Sequence, residues 1–236
     1  MNRIRRACLA RFRRALDRLG ARQPEKGLAL LMARAHAQTL RTKVTPNEAW
    51  AQLDAQLQRQ WARLTARRGG SDPMITESAE PRFVCDAGLG GLARWLRAAG
   101  YEAAWTAGIA DDALLRAARE QRALLLTTDS LLLERRVIRE GTIPTLWLPP
   151  WGRAPEQLAR VFRELRLRPR TPRCMACGGE LRREDKAAVA ARIPPRTARW
   201  LDLYFVCARC NRLFWHGTHW ARITERLRSL GIDETS

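Results

Sequence analysis

The sequence predicts an α/β protein: a parallel sheet with flanking helices, a cysteine-rich module behind it and a basic helical region in front. Three observations carry this. Between residues 82 and 165 short apolar runs alternate with helical patterns of about 10–15 residues, the texture of βαβ units whose sheet is covered on both faces. Two tight cysteine pairs follow, Cys174-Met175-Ala176-Cys177 and Cys207-Ala208-Arg209-Cys210. Ahead of the sheet, apolar residues recur at helical spacing among arginines. The 236 residues are 46% hydrophobic, enough for a core, and no apolar run is long enough to cross a membrane.

In chain order, Ile4 to Leu19 predicts a first basic helix and Lys26 to Leu40 a second. Thr45-Pro46-Asn47-Glu48 reads as the capped start of a third that runs to Ala66. The region 1–70 then ends in the Gly-Ser-Asp-Pro cluster of a linker, 71–81. Arg82–Cys85 is a strand stopping at Asp86, with a helix from Leu89 to Ala99 closed by Gly100. Glu102–Trp105 is a second strand, leading to a helix over Asp112–Gln121. Ala123–Thr127 is a third, ending in Thr128-Asp129, with a helix through Arg139. Ile143–Leu148 is the fourth, and Ala154–Leu165 the last helix of a domain over 82–170.

The net charge is +19, divided as +9 over residues 1–80, +5 over 81–171 and +5 over 172–236. Such self-repulsion is relieved by a polyanion, which makes nucleic acid the first partner to consider. The cysteine pairs stand 29 residues apart, a spacing for metal knuckles rather than a secreted disulfide framework. Cys174, Cys177, Cys207 and Cys210 are therefore expected to hold a structural Zn²⁺ in a ribbon over 171–222, followed by a tail, 223–236. A reducing compartment, the cytoplasm, follows from the same reading. Cys8 and Cys85 have no partner in this pattern and read as small buried residues.

In parallel sheets ligands sit beyond the carboxyl ends of the strands, where Asp86, Asp129 and Asp111 or Asp112 fall. Carboxylates converging there need a cation between them, and hard oxygen donors suit Mg²⁺ or Mn²⁺. Such an ion lowers the pKa of a bound water and stabilises charge on a phosphate. Each aspartate also has a second reading as a helix cap. Thr127 and Thr128 either join the bound group or hold the Asp129 loop. Arg94 and Arg97 share a helix face, either toward an RNA phosphate or toward water. His216 and His219 stand near Trp215 and Trp220; His219 is the candidate for a stacking contact with bases, core packing of the tryptophans being the alternative.

These residues resemble the Mut-seven C-terminal RNase family, a PIN-like nuclease domain followed by a zinc ribbon. The resemblance rests on Phe83 through Tyr101 (FVCDAGLGGLARWLRAAGY), on Asp111-Asp112-Ala113-Leu114 and on Leu125-Leu126-Thr127-Thr128-Asp129. The two cysteine pairs and Phe214-Trp215-His216-Gly217-Thr218-His219-Trp220 complete it. It implies a PIN-like fold and metal-dependent RNA cleavage, with the family's acids at Asp86, Asp112 and Asp129. Two departures stand out: the family's Thr-Arg-Asp reads Thr127-Thr128-Asp129, and no fourth acid follows the Ile143–Leu148 strand. The reading is a cytoplasmic ribonuclease whose substrate contacts are Arg94, Arg97, Thr127 and His219. The rival is a non-catalytic RNA-binding protein in which the acids only cap helices.

Overall fold

The structure, a computed structural model, describes residues 80–232 apart from 130 and 151, residues 23–42, and scattered positions between 9 and 56. The chain divides into two compact units, Met1–Thr76 and Glu77–Ser236, the boundary falling within the stretch expected as linker.

In the first unit the helix α1 spans Pro24–Thr42, with Glu25 in its first turn and Arg41 in its last, each placed to suit the helix dipole. It buries Leu28, Leu31 and Ala35, a stripe at helical spacing. The start expected at Thr45 forms: its N–H and hydroxyl both donate to Glu48 Oε2 (2.8 Å each), and Glu48 N–H donates back to Thr45 Oγ1 at 3.3 Å. Phe12 stacks on Trp50 with ring centroids 5.4 Å apart. Most of the expected first helix and the end of the third lie outside the described residues.

The second unit opens with a four-stranded parallel sheet. Its strands are β1 (Phe83–Cys85), β2 (Ala103–Trp105), β3 (Leu124–Thr127) and β4 (Thr145–Trp147), in the order β2-β1-β3-β4. Register pairs Val84 with Ala104 and Leu125, and Leu126 with Leu146. All of β1 and β3 is buried, as the unbroken apolar runs require of central parallel strands. Between the strands run α2 (Gly90–Ala98), α3 (Asp111–Glu120) and α4 (Arg136–Arg139), and α5 (Ala154–Leu165) follows β4. The helix α2 packs on α5, while α3 lies against β1 and β3. Leu92 and Leu96 of α2 and Leu158 and Val161 of α5 are shut off from water; each such side chain contributes about 1.5–3 kcal/mol. Tyr101 closes one end, edge-on to Phe83 and Phe162 at 5.8 and 5.7 Å.

One expected helix is corrected. From Asp129 to Arg139 the chain makes a 3₁₀ turn over Leu132–Glu134 and then α4, because Arg135 between them is extended (φ −62°, ψ 132°).

Behind the sheet comes the cysteine module, an antiparallel sheet ordered β5-β6-β7: β5 (Leu181–Glu184), β6 (Tyr204–Cys207) and β7 (Leu213–Trp215). The turns α6 (Lys186–Val189) and α7 (Pro195–Ala198) fill the long connection from β5 to β6. Val189, Ile193 and Tyr204 form its core, covered by Ala198, Leu201, Val206, Leu213 and Trp215. The last helix, α8 (Thr218–Ser229), runs through the boundary expected at 222/223. No helix among the described residues is long and apolar enough to cross a membrane.

Candidate active site and four-cysteine centre

In the order β2-β1-β3-β4 the chain leaves β1 toward one edge of the sheet and β3 toward the other. The crevice of such a sheet therefore opens between the ends of β1 and β3. Asp86 follows β1 and Asp129 lies two residues past β3, so both acids fall at this crevice. They are joined through Thr127, which is fully buried. Its hydroxyl donates to Asp86 Oδ2 at 2.6 Å and accepts the backbone N–H of Asp129 at 2.9 Å. Asp86 Oδ1 also accepts the N–H of Ala87 (2.6 Å), and Asp129 Oδ1 that of Leu131 (2.8 Å), so both acids shape their loops.

Each loop is pinned by an indole from the neighbouring outer strand. Trp105 at the end of β2 donates from Nε1 to Ala87 O at 2.9 Å, and Trp147 at the end of β4 donates to Thr128 O at 3.1 Å. A Cβ on Gly90 would stand 2.7 Å from the Trp105 ring, so this position takes only glycine while the indole stays in place.

Asp112 is different. It is exposed in the first turn of α3, whose cap position is Ala110 with no side-chain capping bond, and its carboxylate pairs with Arg135. Asp86, Asp112 and Asp129 do not come together as a set within 4.8 Å of one another, whereas the four cysteines do. Mg²⁺ is commonly held by one or two carboxylates plus substrate phosphates. The donors of Asp86 and Asp129 fit that chemistry, while Asp112 is engaged by Arg135.

Two residues expected to contact RNA, Arg97 and Thr127, are buried. Arg97 is only 5% exposed. Its Nε donates to Ala103 O at 2.8 Å, and its Nη1 to Met175 O at 3.0 Å and Ala176 O at 2.8 Å, so its donors are turned into the protein. Burial lowers its pKa, and the thiols of Cys85, Cys177 and Cys174 draw it back up. Thr127 is buried beneath the two acids and acts on them rather than on solvent. Arg94, one turn before Arg97, is exposed. His219 falls in α8, its side chain outside those described. His216, by contrast, stacks on Trp220 at 4.9 Å and 8° and leans on Phe205 at 4.9 Å. Burial lowers its pKa, which favours the neutral ring.

The four cysteines bring their sulfur atoms within 4.8 Å of one another, with Cys174–Cys210 at 3.6 Å and Cys177–Cys207 at 3.5 Å. These separations are far beyond a disulfide bond of about 2.05 Å. They approach the edge of about 3.8 Å expected of a tetrahedron built on Zn–S bonds of about 2.3 Å. Amide N–H groups of Gly179, Arg209 and Cys210 point at the sulfurs of Cys177 and Cys207 at 3.4–3.5 Å. Burial pushes the Cys174 thiol up to about 12. At Cys207 burial also pushes up, but the amides of Cys210 and Arg209 and the neighbouring thiols outweigh it and leave that thiol at about 6. The donor set is compatible with structural zinc. Cys85 lies apart, buried in β1, its thiol pushed up to about 12 by desolvation.

A feature invisible to motif reading joins the two modules. Four consecutive carbonyls of the first knuckle each accept from an arginine. Met175 and Ala176 take Arg97, Cys177 takes Arg209 Nη1 (2.9 Å), and Gly178 takes Arg173 Nε (2.7 Å). Arg209 also pairs with Glu102, next to β2, at 3.1 Å. Only the arginine count hinted at this, since the acceptors are main-chain oxygens.

No curated protein and no solved structure matches the chain. The model of the Mut7-C RNAse domain matches residues 81–227, a stretch containing the parallel sheet, both aspartates at the crevice and all four clustered cysteines. The chain therefore belongs to the Mut7-C RNAse domain family, and the function this membership supports is that of a nuclease-type enzyme.

Proposed function

We propose that the protein is a divalent-metal-dependent ribonuclease with a PIN-like domain, cutting RNA phosphodiesters at the crevice between β1 and β3. The observation that supports this best is the pairing of Asp86 and Asp129 through buried Thr127 at the point where the strand order reverses. Asp86 and Asp129 would hold Mg²⁺ or Mn²⁺, with Asp112 the third acid of the set once freed from Arg135. A bound divalent ion supplies Lewis acidity to a phosphate oxygen and lowers the pKa of water. Thr127 keeps the Asp86 carboxylate aimed, Trp105 and Trp147 fix the loops, and exposed Arg94 contacts a phosphate. Cys174, Cys177, Cys207 and Cys210 hold structural Zn²⁺ in a ribbon that helps grip RNA. Thiols kept free for a metal call for a reducing compartment, the cytoplasm.

The test is incubation of the pure protein with labelled single-stranded, structured and transfer RNAs, with Mn²⁺ or with chelator. Asp86→Asn and Asp129→Asn should each abolish metal-dependent cutting while zinc content and the folded state hold; retained cutting in both removes the mechanism. The ion pair of Asp112 with Arg135 favours a second reading, RNA binding without catalysis. Metal-dependent turnover by the wild type separates the two.

A further inference from the structure

Trp200 is 84% exposed, the most exposed large hydrophobic side chain among the described residues. An indole in water forgoes burial of a large apolar surface, so its position asks for a partner. The backbone that carries it is firmly built. The N–H groups of Trp200 and Leu201 both donate to Thr197 O at 3.2 Å, and Tyr204 Oη donates to Leu201 O at 2.9 Å. Neighbours Ala198 and Leu201 pack into the core of the cysteine module while Trp200 turns outward. The indole is thus presented by an ordered turn.

The charge around it says what it meets. From Lys186 to Leu201 the chain carries Lys186, Arg192, Arg196 and Arg199 and no acid. Asp202, just beyond, is taken by Lys186 at 2.8 Å. Arg192 is spent on Asn211, bonding its side-chain oxygen and its carbonyl. Arg196 and Arg199 are exposed and have no ion pair among the described residues. One aromatic face beside two uncommitted guanidinium groups is the arrangement that binds a single nucleic-acid strand, a base stacking on the ring and phosphates meeting the cations. A membrane-surface anchor needs an extended apolar face, and no other side chain of this segment is a large exposed hydrophobic.

We infer that Trp200, with Arg196 and Arg199, is a single-strand RNA docking site on the cysteine module, separate from the crevice of the parallel sheet. It rests on RNA being the ligand of this protein. The experiment titrates the full-length, zinc-loaded chain, without Mg²⁺ or Mn²⁺, into a labelled 20-nucleotide single strand, a duplex of equal length, and vesicles containing phosphatidylserine. Trp200→Ala should weaken single-strand binding about tenfold, the effect of losing one base–aromatic stack, with duplex binding unchanged. Trp200→Phe should recover most of the affinity. Arg196→Ala and Arg199→Ala should weaken both RNAs and flatten the salt dependence of binding.

Single-strand binding by Trp200→Ala equal to wild type overturns the inference. So does an equal loss on single strand and duplex, or a loss that Trp200→Phe does not recover. Vesicle binding that needs Trp200 while RNA binding does not would give this surface to a membrane instead. Failure of the nuclease reading looks different: the wild type would still bind the strand through Trp200 and never cut it when Mn²⁺ is added.

Discussion

Thr127 joins the crevice acids through a single oxygen that both gives and takes a hydrogen bond. Thr127→Val keeps the shape of the side chain but leaves Asp86 Oδ2 without its donor and the Asp129 N–H without its acceptor. Unmet buried polar groups cost about 1–3 kcal/mol each, so the variant should melt lower and lose kcat, while Thr127→Ser recovers both. Calorimetry and RNA cleavage together check this. Arg97 shows where residue-level reading stops. Helical spacing places Arg94 and Arg97 close around the same helix, yet one meets water and the other carbonyls some eighty positions further along the chain. The residue type and spacing were legible; the acceptors, being backbone, leave no mark in the side-chain pattern. Arg97→Met should leave three carbonyl oxygens without this donor, the one on Ala103 in a buried bond and the other two part-buried, and cost about 1–3 kcal/mol, read as a fall in unfolding free energy in urea.

At the scale of elements, the alternation of apolar runs and helical stretches located all four parallel strands, most plainly β1 and β3, because central strands buried on both faces must be apolar throughout. The same signal gave the start of α5 correctly, where Glu156 Oε2 accepts the N–H of Arg153. It missed the break at Arg135. Apolar Leu131, Leu132, Leu133, Val137 and Ile138 look helical together, and the interruption coincides with the reach of Arg135 to Asp112, a tertiary contact. The two loops at the crevice are set by indoles on β2 and β4, and at Gly90, the first residue of α2, an added Cβ would stand 2.7 Å from the Trp105 ring. Gly90→Ala should push the Trp105 ring away from Ala87 O. The expected result is about 1–3 kcal/mol of lost stability, the usual cost of overpacking, together with reduced cleavage. Thermal melts beside activity assays measure both.

Across the molecule, charge pointed to nucleic acid and cysteine spacing to zinc before any fold was in hand, and the four sulfur atoms do converge. What composition left out is that the cysteine module shares its hydrogen bonds with the parallel sheet. Stripping zinc with a strong chelator should therefore lower the melting of the nuclease sheet as well as of its neighbour. Hydrogen exchange in β2 and α2 should quicken in step with zinc loss, and unchanged protection there would mean that the modules stand independently.

The row of arginine-bound carbonyls has a last consequence, for anyone shortening the chain. Severed near residue 170, the front fragment keeps a largely buried cation with two of its three oxygen acceptors gone, and the rear fragment keeps a loop that has lost Arg97, one of its three guanidinium braces. Neither piece is left with a clean edge. A ladder of carboxyl-terminal deletions should accordingly stop yielding folded protein abruptly once the second cysteine pair is lost, with no stable miniature nuclease lower down.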